Sequence, residues 1–372
     1  MALSTPLSER IGIELPFMQS GMGGIGPITL ARLAAAISNA GALGTLAHPA
    51  IVLEEPGVSG ERLAELVQDV VRQVREGIRL AVSLTDKPLA INVRIAQEQP
   101  DAPEVLKAIL EERERDPKVK AQLRVLTTSG GHPRMYGMND SFRESGMLHF
   151  HAVSNVRHAL SAQAEGMDGV IATGFEAAGH VGHHPVHTFV LVPSIAAAVD
   201  IPVLCAGGVV DGAALAGALT LGAQMGYIGS RFLAAEECEY NDGNKKFIVE
   251  ASETQTEVVP AFFGPGRFIE NGFTAEVQRL VDTNAPYLER IRIEGAAMRR
   301  GAMEGDLETG MMVGGQGIGR IKSILSAGEI VRQIHAEAEQ ALMRAGGFVT
   351  SVAAAVPEQV ARRESQPQEL AK

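Results

Sequence analysis

The sequence predicts an α/β protein, a TIM (β/α)8 barrel with an accessory helical segment. Three observations support this prediction. Short apolar runs alternate with helical patterns along the chain. The runs are apolar on both faces, which is typical of a parallel sheet covered by helices. Eight such units fit into roughly 230 residues, which suits a barrel better than a six-stranded open sheet.

Each predicted strand is a short apolar run bounded by polar or turn residues. The eight runs cover residues 16–19, 42–46, 88–93, 124–128, 147–153, 169–172, 202–206 and 226–228.

The predicted helices lie between these strands. The first should begin with Pro27 in its first turn and end before Gly41. From Ser59 onward, apolar residues recur at helical spacing as far as Val74. Further helices are expected at 105–110, 156–164 and 194–199, and from the capping residue Asp211 to residue 221. The charge run 111–116 is expected to be a solvated helix end.

The repeating pattern divides the chain into four parts. Residues 1–240 form the predicted barrel. Residues 241–315 show helical patterns without clear strands and should line the mouth of the barrel as an accessory segment. Residues 316–350 contain a strong amphipathic helix at 326–345, which is expected to pack back on the barrel. Residues 351–372 form a polar tail.

Composition excludes several classes of protein. The 33 basic and 44 acidic residues give a net charge of −11, so the basic excess of a nucleic-acid binder is missing. No run of about 18 apolar residues suggests a membrane span. Cys205 and Cys238 are the only cysteines, which argues against a disulfide framework. The N-terminal sequence has no apolar signal core, so we expect a cytoplasmic enzyme.

The segment Gly21–Gly26 has the spacing G-x-G-x-x-G between a strand and a helix. In a dinucleotide-binding domain, an acidic residue about 20 positions later would bind the ribose. The first acid after the glycines is Glu54, which lies too far along to end the second strand. A tight loop that lets a ligand approach the backbone is therefore the favoured interpretation, with dinucleotide binding as the alternative.

The seventh and eighth strands both end in glycines. Such turns expose backbone N–H groups at one point of a barrel, and this geometry binds a phosphate monoester. Ordinary left-handed turn glycines are the alternative interpretation. The two turns contain Gly207, Gly208, Tyr227, Ile228, Gly229 and Ser230.

The loop after the sixth strand carries four histidines within eight residues, His180, His183, His184 and His187. A metal site is possible in principle, but the run contains no carboxylate and Pro185 disfavours a helix that would align the ligands. A histidine beside glycines at the carboxyl end of a barrel strand is better interpreted as a general acid or base. The other three can be polar loop residues.

Three further segments are expected near the same mouth. Asn92 ends the third strand, although it could equally satisfy local backbone. The residues Thr128–Pro133 follow the fourth strand and include His132. The glycine-rich segment Gly314–Gly319 is either a loop that contacts the mouth or the hinge before the last helix.

Taken together and in order, these motifs resemble the nitronate monooxygenase (2-nitropropane dioxygenase) family of FMN-dependent barrels. The resemblance extends from about Leu7 to Ala345, except for the acidic insert near 100–120. The enoyl-acyl-carrier-protein reductases of the same superfamily share most of these motifs. The motifs are FMQSGM, AAAISNAGALG, INV, TTSGGHP, GFEAAGHVG, PVLCAGGVVDG, GYIGSRFLA and GGQGIGRI.

The resemblance implies FMN, with its phosphate on Gly208 and the turn Tyr227–Ser230. Met22 and Asn92 would lie along the isoalloxazine. The family usually has Gln at the position of Thr173 and Gly at that of Ala178, so the flavin contact of Thr173 departs from the family pattern.

His180 matches the catalytic histidine of the family. The implied reaction is oxidation of nitroalkanes or alkyl nitronates with O2 to a carbonyl compound and nitrite. His180 would be the general base, since a free imidazole with a pKa of about 6.5 is largely unprotonated at neutral pH. The alternative is reduction of an enoyl or other acyl thioester with NAD(P)H. A third possibility is a flavoprotein subunit of a biosynthetic complex, and a homodimer is left open.

Overall fold

A computed structural model describes residues 3–25, 28–51, 58, 60–96, 99–134, 136–261 and 264–349. Its main sheet confirms the predicted barrel. The eight parallel strands are β1 (Phe17–Gln19), β2 (Gly44–Ala47), β3 (Leu89–Arg94), β4 (Leu123–Ser129), β5 (Leu148–Val153), β6 (Gly169–Thr173), β7 (Val203–Ala206) and β8 (Met225–Ile228).

The sheet closes on itself in chain order. From β2 to β8 each strand pairs with the next one in sequence, and β1 pairs with β8, where Phe17 is opposite Gly226. The last gap is bridged by the Gln19 N–H, which donates to the Leu43 carbonyl at 2.9 Å just before β2 begins. All carboxyl ends therefore meet at one mouth, where barrel enzymes place their sites.

Helices cover the outside of the barrel. Those within the barrel repeat are α1 (Pro6–Ile11), α2 (Ala31–Asn39), α3 (Gly60–Leu84), α4 (Ala102–Arg115), α5 (Pro117–Gln122), α6 (Asn139–Ser145), α7 (Val156–Ala164), α8 (Thr188–Ala196), α9 (Gly212–Thr220) and α10 (Ser230–Leu233). Beyond it follow α11 (Asp242–Glu250), α12 (Gly272–Asp282), α13 (Tyr287–Arg299) and α14 (Ala327–Gly346). No helix among the described residues is long and apolar enough to cross a membrane.

Two helix boundaries differ from expectation. Pro27 lies outside the described residues, and α2 begins at Ala31. The helix expected at 194–199 instead begins at Thr188 and ends at Ala196. It therefore contains Pro193, which we expected to precede the helix. A proline inside a helix removes one backbone hydrogen bond, so the sequence alone favoured the later start.

The charge run 111–116 is not a fully solvated helix end. Glu112 is only 1% exposed, because its carboxylate is paired with Arg75 and Arg79 of α3, both at 2.7 Å. Arg113 is also buried and donates to backbone carbonyls, including that of Ser145 at 2.8 Å. The charged side chains of α4 therefore form ion pairs with α3 and a hydrogen bond with the end of α6.

The accessory segment 241–315 contains strands as well as helices, contrary to the expectation. Strand β9 (Thr256–Ala261) pairs antiparallel with β10 (Gly264–Ile269). Strand β10 was not predicted because it begins with Gly264, Pro265 and Gly266, residues that are typical of loops. Strand β10 also pairs with the two-residue strand Gly179–His180.

The last helix, α14, packs against α9 of the barrel. The Gly212 N–H of α9 donates to the Glu337 carboxylate of α14 at 3.0 Å. A Cβ on Gly212 would lie 2.3 Å from both the Ala338 nitrogen and the Ile334 oxygen, so the two helices are in backbone contact here. Residues 351–372 lie outside the described part of the chain.

Candidate active site

A cavity of about 870 Å³ opens at the carboxyl ends of the barrel strands. Its lining includes nine of the ten residues proposed for cofactor binding, together with His180. The exception is Ile228, which is fully buried; its carbonyl accepts a hydrogen bond from the Ser20 N–H at 2.8 Å. The nine lining residues are Met22, Asn92, Thr173, Ala178, Gly207, Gly208, Tyr227, Gly229 and Ser230.

The floor of the cavity is polar. The Asn92 side-chain nitrogen donates to the Thr127 hydroxyl at 2.9 Å, and Thr127 lies 3.4 Å from the Tyr227 hydroxyl. The Gly21 N–H donates to the same Tyr227 hydroxyl at 2.8 Å. Burial raises the pKa of Tyr227, more than its hydrogen bonds lower it, so the phenol stays protonated. These side chains lie one layer above the apolar interior of the barrel.

The backbone of the glycine cluster after β1 packs closely against the side chains of this floor. A Cβ on Gly21 would lie 2.1 Å from the Asn92 side chain, so a larger residue cannot fit there. Gly21 and Gly23 line the cavity, whereas Gly26 lies outside the described residues. The closed barrel also differs from the open sheet of a dinucleotide-binding domain.

The turns after β7 and β8 form the predicted glycine-lined recess. Gly207 and Gly208 have φ angles of 98° and 75°, which favour glycine. A Cβ on Gly208 would meet nothing within 4 Å and would project into open space. The N–H groups of Gly208 and Gly229 donate no hydrogen bond to the described part of the chain. Donors left unused beside open space fit an oxyanion.

The glycine-rich segment 314–319 contacts the same mouth. The Gly315 N–H donates to the Ser230 hydroxyl oxygen at 3.1 Å, and the Gln316 N–H donates to the Glu176 carbonyl at 3.0 Å. Gly315 and Gly317 both line the cavity. The segment therefore joins the turn after β8 to the loop after β6, as the first of the two interpretations expected.

These residues fit the FMN that the resemblance implies. The open space at Gly208 and the unused N–H groups match a single terminal phosphate. The polar floor of Asn92 and Tyr227 offers donors and acceptors for the edge of a heterocycle. Thr173 lines the cavity, but its hydroxyl donates to the Ile171 carbonyl at 3.3 Å within its own strand.

His180 is held at the side of the cavity by β10, opposite Gly266 in the register. Its side chain is exposed to the cavity, yet protein surrounds it. This enclosure, followed by the positive charge of Arg94, lowers the pKa of His180 to about 3. The imidazole is therefore unprotonated at neutral pH, with a pKa far below the ordinary value of about 6.5.

The neighbouring histidines of the loop have other environments. His187 lies 3.4 Å from the Glu176 carboxylate, which also accepts from the Thr188 N–H. His183 and His184 line the cavity and His132 contacts the Ser161 hydroxyl at 3.1 Å. Among the described residues, no group of three or more potential ligands could hold a metal ion.

Sequence reasoning missed a polar chain at the same mouth. Arg94 lines the cavity two residues beyond Asn92, and it is connected through Gln99 and Asp101 to His48. The signal was available in part, because alternate residues of a strand share a face and Arg94 follows Asn92 by two positions.

The sequence matches the nitronate monooxygenase family over residues 4–337. A probable nitronate monooxygenase of Bacillus subtilis is 27% identical over 356 residues, which cover 88% of this chain and 96% of that protein. A Mycobacterium tuberculosis protein is 29% identical over 94% of this chain and its own full length. It is an octahydro-indene-4-carboxyl-CoA dehydrogenase.

Two solved structures are also similar. FabK from Thermotoga maritima is 30% identical with a TM-score of 0.79, covering 93% of this chain and 100% of that one. Nitroalkane oxidase from Streptomyces ansochromogenes is 25% identical with a TM-score of 0.69, covering 91% and 99% of the two chains. The family match spans the barrel and its mouth. The chain therefore belongs to the nitronate monooxygenase family and is an oxidoreductase.

Proposed function

We propose that this protein is an FMN-dependent enzyme that oxidises alkyl nitronates and nitroalkanes with O2 to carbonyl compounds and nitrite. The observation that carries the proposal is the unprotonated His180 imidazole, which shares one cavity with the glycine recess of Gly208 and Gly229. The family and the nitroalkane oxidase neighbour support a flavin oxidoreductase of this kind.

The recess and the floor would hold the cofactor. Gly208 and Gly229 would donate their N–H groups to its phosphate, and Asn92 and Tyr227 would contact its ring system. FMN, when bound, accepts electrons from the substrate and passes them to O2. The protein's own contribution is to bind the substrate, orient it and handle its proton.

His180 would accept the α-proton of a neutral nitroalkane at an imidazole nitrogen. An imidazole with a pKa of about 3, lowered by burial and by the charge of Arg94, holds a proton weakly in the absence of substrate. Negative charge develops on the nitro group as the proton leaves, and this charge raises the pKa of a nearby imidazole. Because a nitronate has already lost that proton, we expect it to be the better substrate.

The test is a product assay with the purified flavin-loaded protein. The nitronate of 2-nitropropane should cause O2 consumption together with nitrite and acetone in equal amounts. His180→Asn should retain the flavin and slow the neutral nitroalkane more than the nitronate. No O2 consumption and no nitrite with either substrate would contradict the proposal.

A second candidate function is reduction of an enoyl or other acyl thioester with NAD(P)H. It is favoured by two arginines, Arg94 and Arg157, that line the cavity. The Arg157 side chain, exposed at the mouth, could face the phosphates of a nucleotide. Oxidation of NADPH that requires crotonyl-CoA would support this candidate.

A further inference from the structure

Arg94 is placed to reach a substrate above the polar floor. It is the last residue of β3 and lies opposite Ser129 of β4. Side chains alternate along a strand, so Arg94 shares the inward face of β3 with Asn92 and lies one layer nearer the mouth. Its side chain is partly buried and lines the cavity with His180.

A chain of hydrogen bonds orients this guanidinium. Its Nε and one terminal nitrogen donate to the Gln99 side-chain oxygen at 3.0 and 2.5 Å. The Gln99 amide nitrogen donates to one oxygen of Asp101, and the other oxygen lies 2.8 Å from the His48 Nε2. Gln99, Asp101 and His48 are each 5% exposed or less, so the chain is fixed by the surrounding core.

The charges along this chain keep Arg94 positive. Burial lowers the pKa of Arg94 to about 10, and the charge of Asp101 opposes that change. Burial also acts on Asp101, but hydrogen bonds from His48 and Gln99 hold its pKa below the usual value. Arg94 is therefore a cation at neutral pH in a protein whose net charge is −11.

We propose that Arg94 binds the two oxygens of an anionic nitronate and thereby fixes its carbon beside His180. A guanidinium presents parallel N–H groups in a planar fork, which matches a planar group with two oxygens on one atom. The oriented fork costs little entropy on binding because the Gln99–Asp101–His48 chain already holds it. This assignment rests on the proposed function for the identity of the substrate.

Arg157 supplies the matched control. It also lines the cavity, but it lies in the first turn of α7 and is exposed to solvent. If anions are attracted only by a general positive potential, both arginines should contribute to binding. If they bind at a specific site, binding should depend on Arg94. The experiment therefore compares Arg94→Gln, Arg94→Lys and Arg157→Gln in the flavin-loaded full-length protein.

The probe is isobutyrate, which is close to the 2-nitropropane nitronate in size, has the same charge and two oxygens on one planar atom, and cannot be oxidised at that group. Titration calorimetry should show its Kd rise by roughly 10- to 100-fold in Arg94→Gln, the loss expected for hydrogen bonds to a charged group. Arg94→Lys should lose less, because the charge remains while the fork is gone. Arg157→Gln should bind isobutyrate as the wild type does, and neutral isobutyramide should not distinguish any of the proteins.

Equal isobutyrate affinity in the wild type, Arg94→Gln and Arg94→Lys would overturn the assignment. An equal loss in Arg157→Gln would also overturn it, since the effect would then be a diffuse potential. Far-UV circular dichroism and flavin content check the fold of each variant, and Arg94→Lys serves if Arg94→Gln does not fold. Because isobutyrate binding needs no turnover, failure of nitronate oxidation alone contradicts the proposed function and leaves the anion site standing.

Discussion

His180 shows how its surroundings set the chemistry of one side chain. The sequence placed a histidine at the carboxyl end of a barrel strand and suggested an ordinary pKa. In the structure, enclosure by protein and the charge of Arg94 lower that pKa to about 3. Its position was predictable from the motif, but its pKa depends first on enclosure by the folded protein and then on Arg94, 86 positions earlier in the chain and on another strand.

The first prediction concerns the His180→Asn variant. Turnover of neutral 2-nitropropane should fall by roughly 10²- to 10⁴-fold, the usual contribution of a positioned base. Turnover of the nitronate should fall much less, since its α-proton is absent. Steady-state O2 uptake with both substrates measures the difference. His183→Asn, a change at another cavity histidine, should have little effect on either rate.

The same imidazole predicts the pH dependence. A group with a lowered pKa stays unprotonated as the pH falls, until the pH approaches that pKa. The wild-type rate with the neutral substrate should therefore show no histidine-dependent decline between pH 8 and 5. A decline with a midpoint near 6.5 that disappears in His180→Asn would contradict the low pKa.

The third residue-scale prediction concerns Gly208. Gly208→Asp would put a carboxylate into the recess proposed for a phosphate, so flavin binding should fall sharply by charge repulsion. Gly208→Ala is the control, because it shares the strain of φ 75° but adds no charge. Flavin content and far-UV circular dichroism compare the three proteins. Full flavin occupancy in Gly208→Asp would exclude this residue from the phosphate site.

At the scale of single elements, the close packing of α9 against α14 depends on one glycine, Gly212. In Gly212→Ala the new Cβ would lie 2.3 Å from backbone atoms of α14, so the helices must separate. We expect the free energy of unfolding, measured in urea, to fall by about 1–3 kcal/mol, a usual cost of overpacking. Gly217→Ala on the same helix meets nothing within 4 Å and should be neutral or stabilising. Equal effects of the two substitutions would contradict the close contact.

Strands β4 and β5 share a buried group of histidines that predicts acid sensitivity. The Thr128 hydroxyl lies 2.8 Å from His149 Nε2 and 2.9 Å from His151 Nδ1. Burial lowers the pKa of His149 to about 4, and burial followed by the charge of His149 lowers that of His151 to about 3. Both histidines are therefore neutral in the folded protein at pH 5.

The direction in which stability changes with pH follows from the protonation of these histidines in the folded and unfolded chains. The unfolded chain takes up these protons below about pH 6.5 while the folded chain does not, so stability falls as the pH drops from 6.5 towards 4. The loss is on the order of 1 kcal/mol per pH unit for each histidine. Urea midpoints at pH 7 and pH 5 measure it, and His149→Gln should reduce the slope. An unchanged slope in that variant would contradict the assignment.

For the whole molecule, the eight strands were predictable because each one is buried on both faces and leaves a short apolar run. The hairpin β9–β10 was not, since its Gly264–Gly266 stretch has the composition of a loop. In the site, the glycine turns and His180 could be recognised from the sequence, because they follow the ends of predicted strands. The inward face of Arg94 could be inferred from that of Asn92, but its connection to His48 could not, because it runs through side chains from three separate segments.

The central claim is that a nitronate supplies the electrons in this cavity. Its most direct test is anaerobic mixing of the purified yellow protein with the 2-nitropropane nitronate and, separately, with NADPH, while the flavin absorbance near 450 nm is followed. We expect the nitronate to bleach the flavin rapidly and NADPH to do so slowly or not at all. Rapid bleaching by NADPH with no response to the nitronate would contradict it.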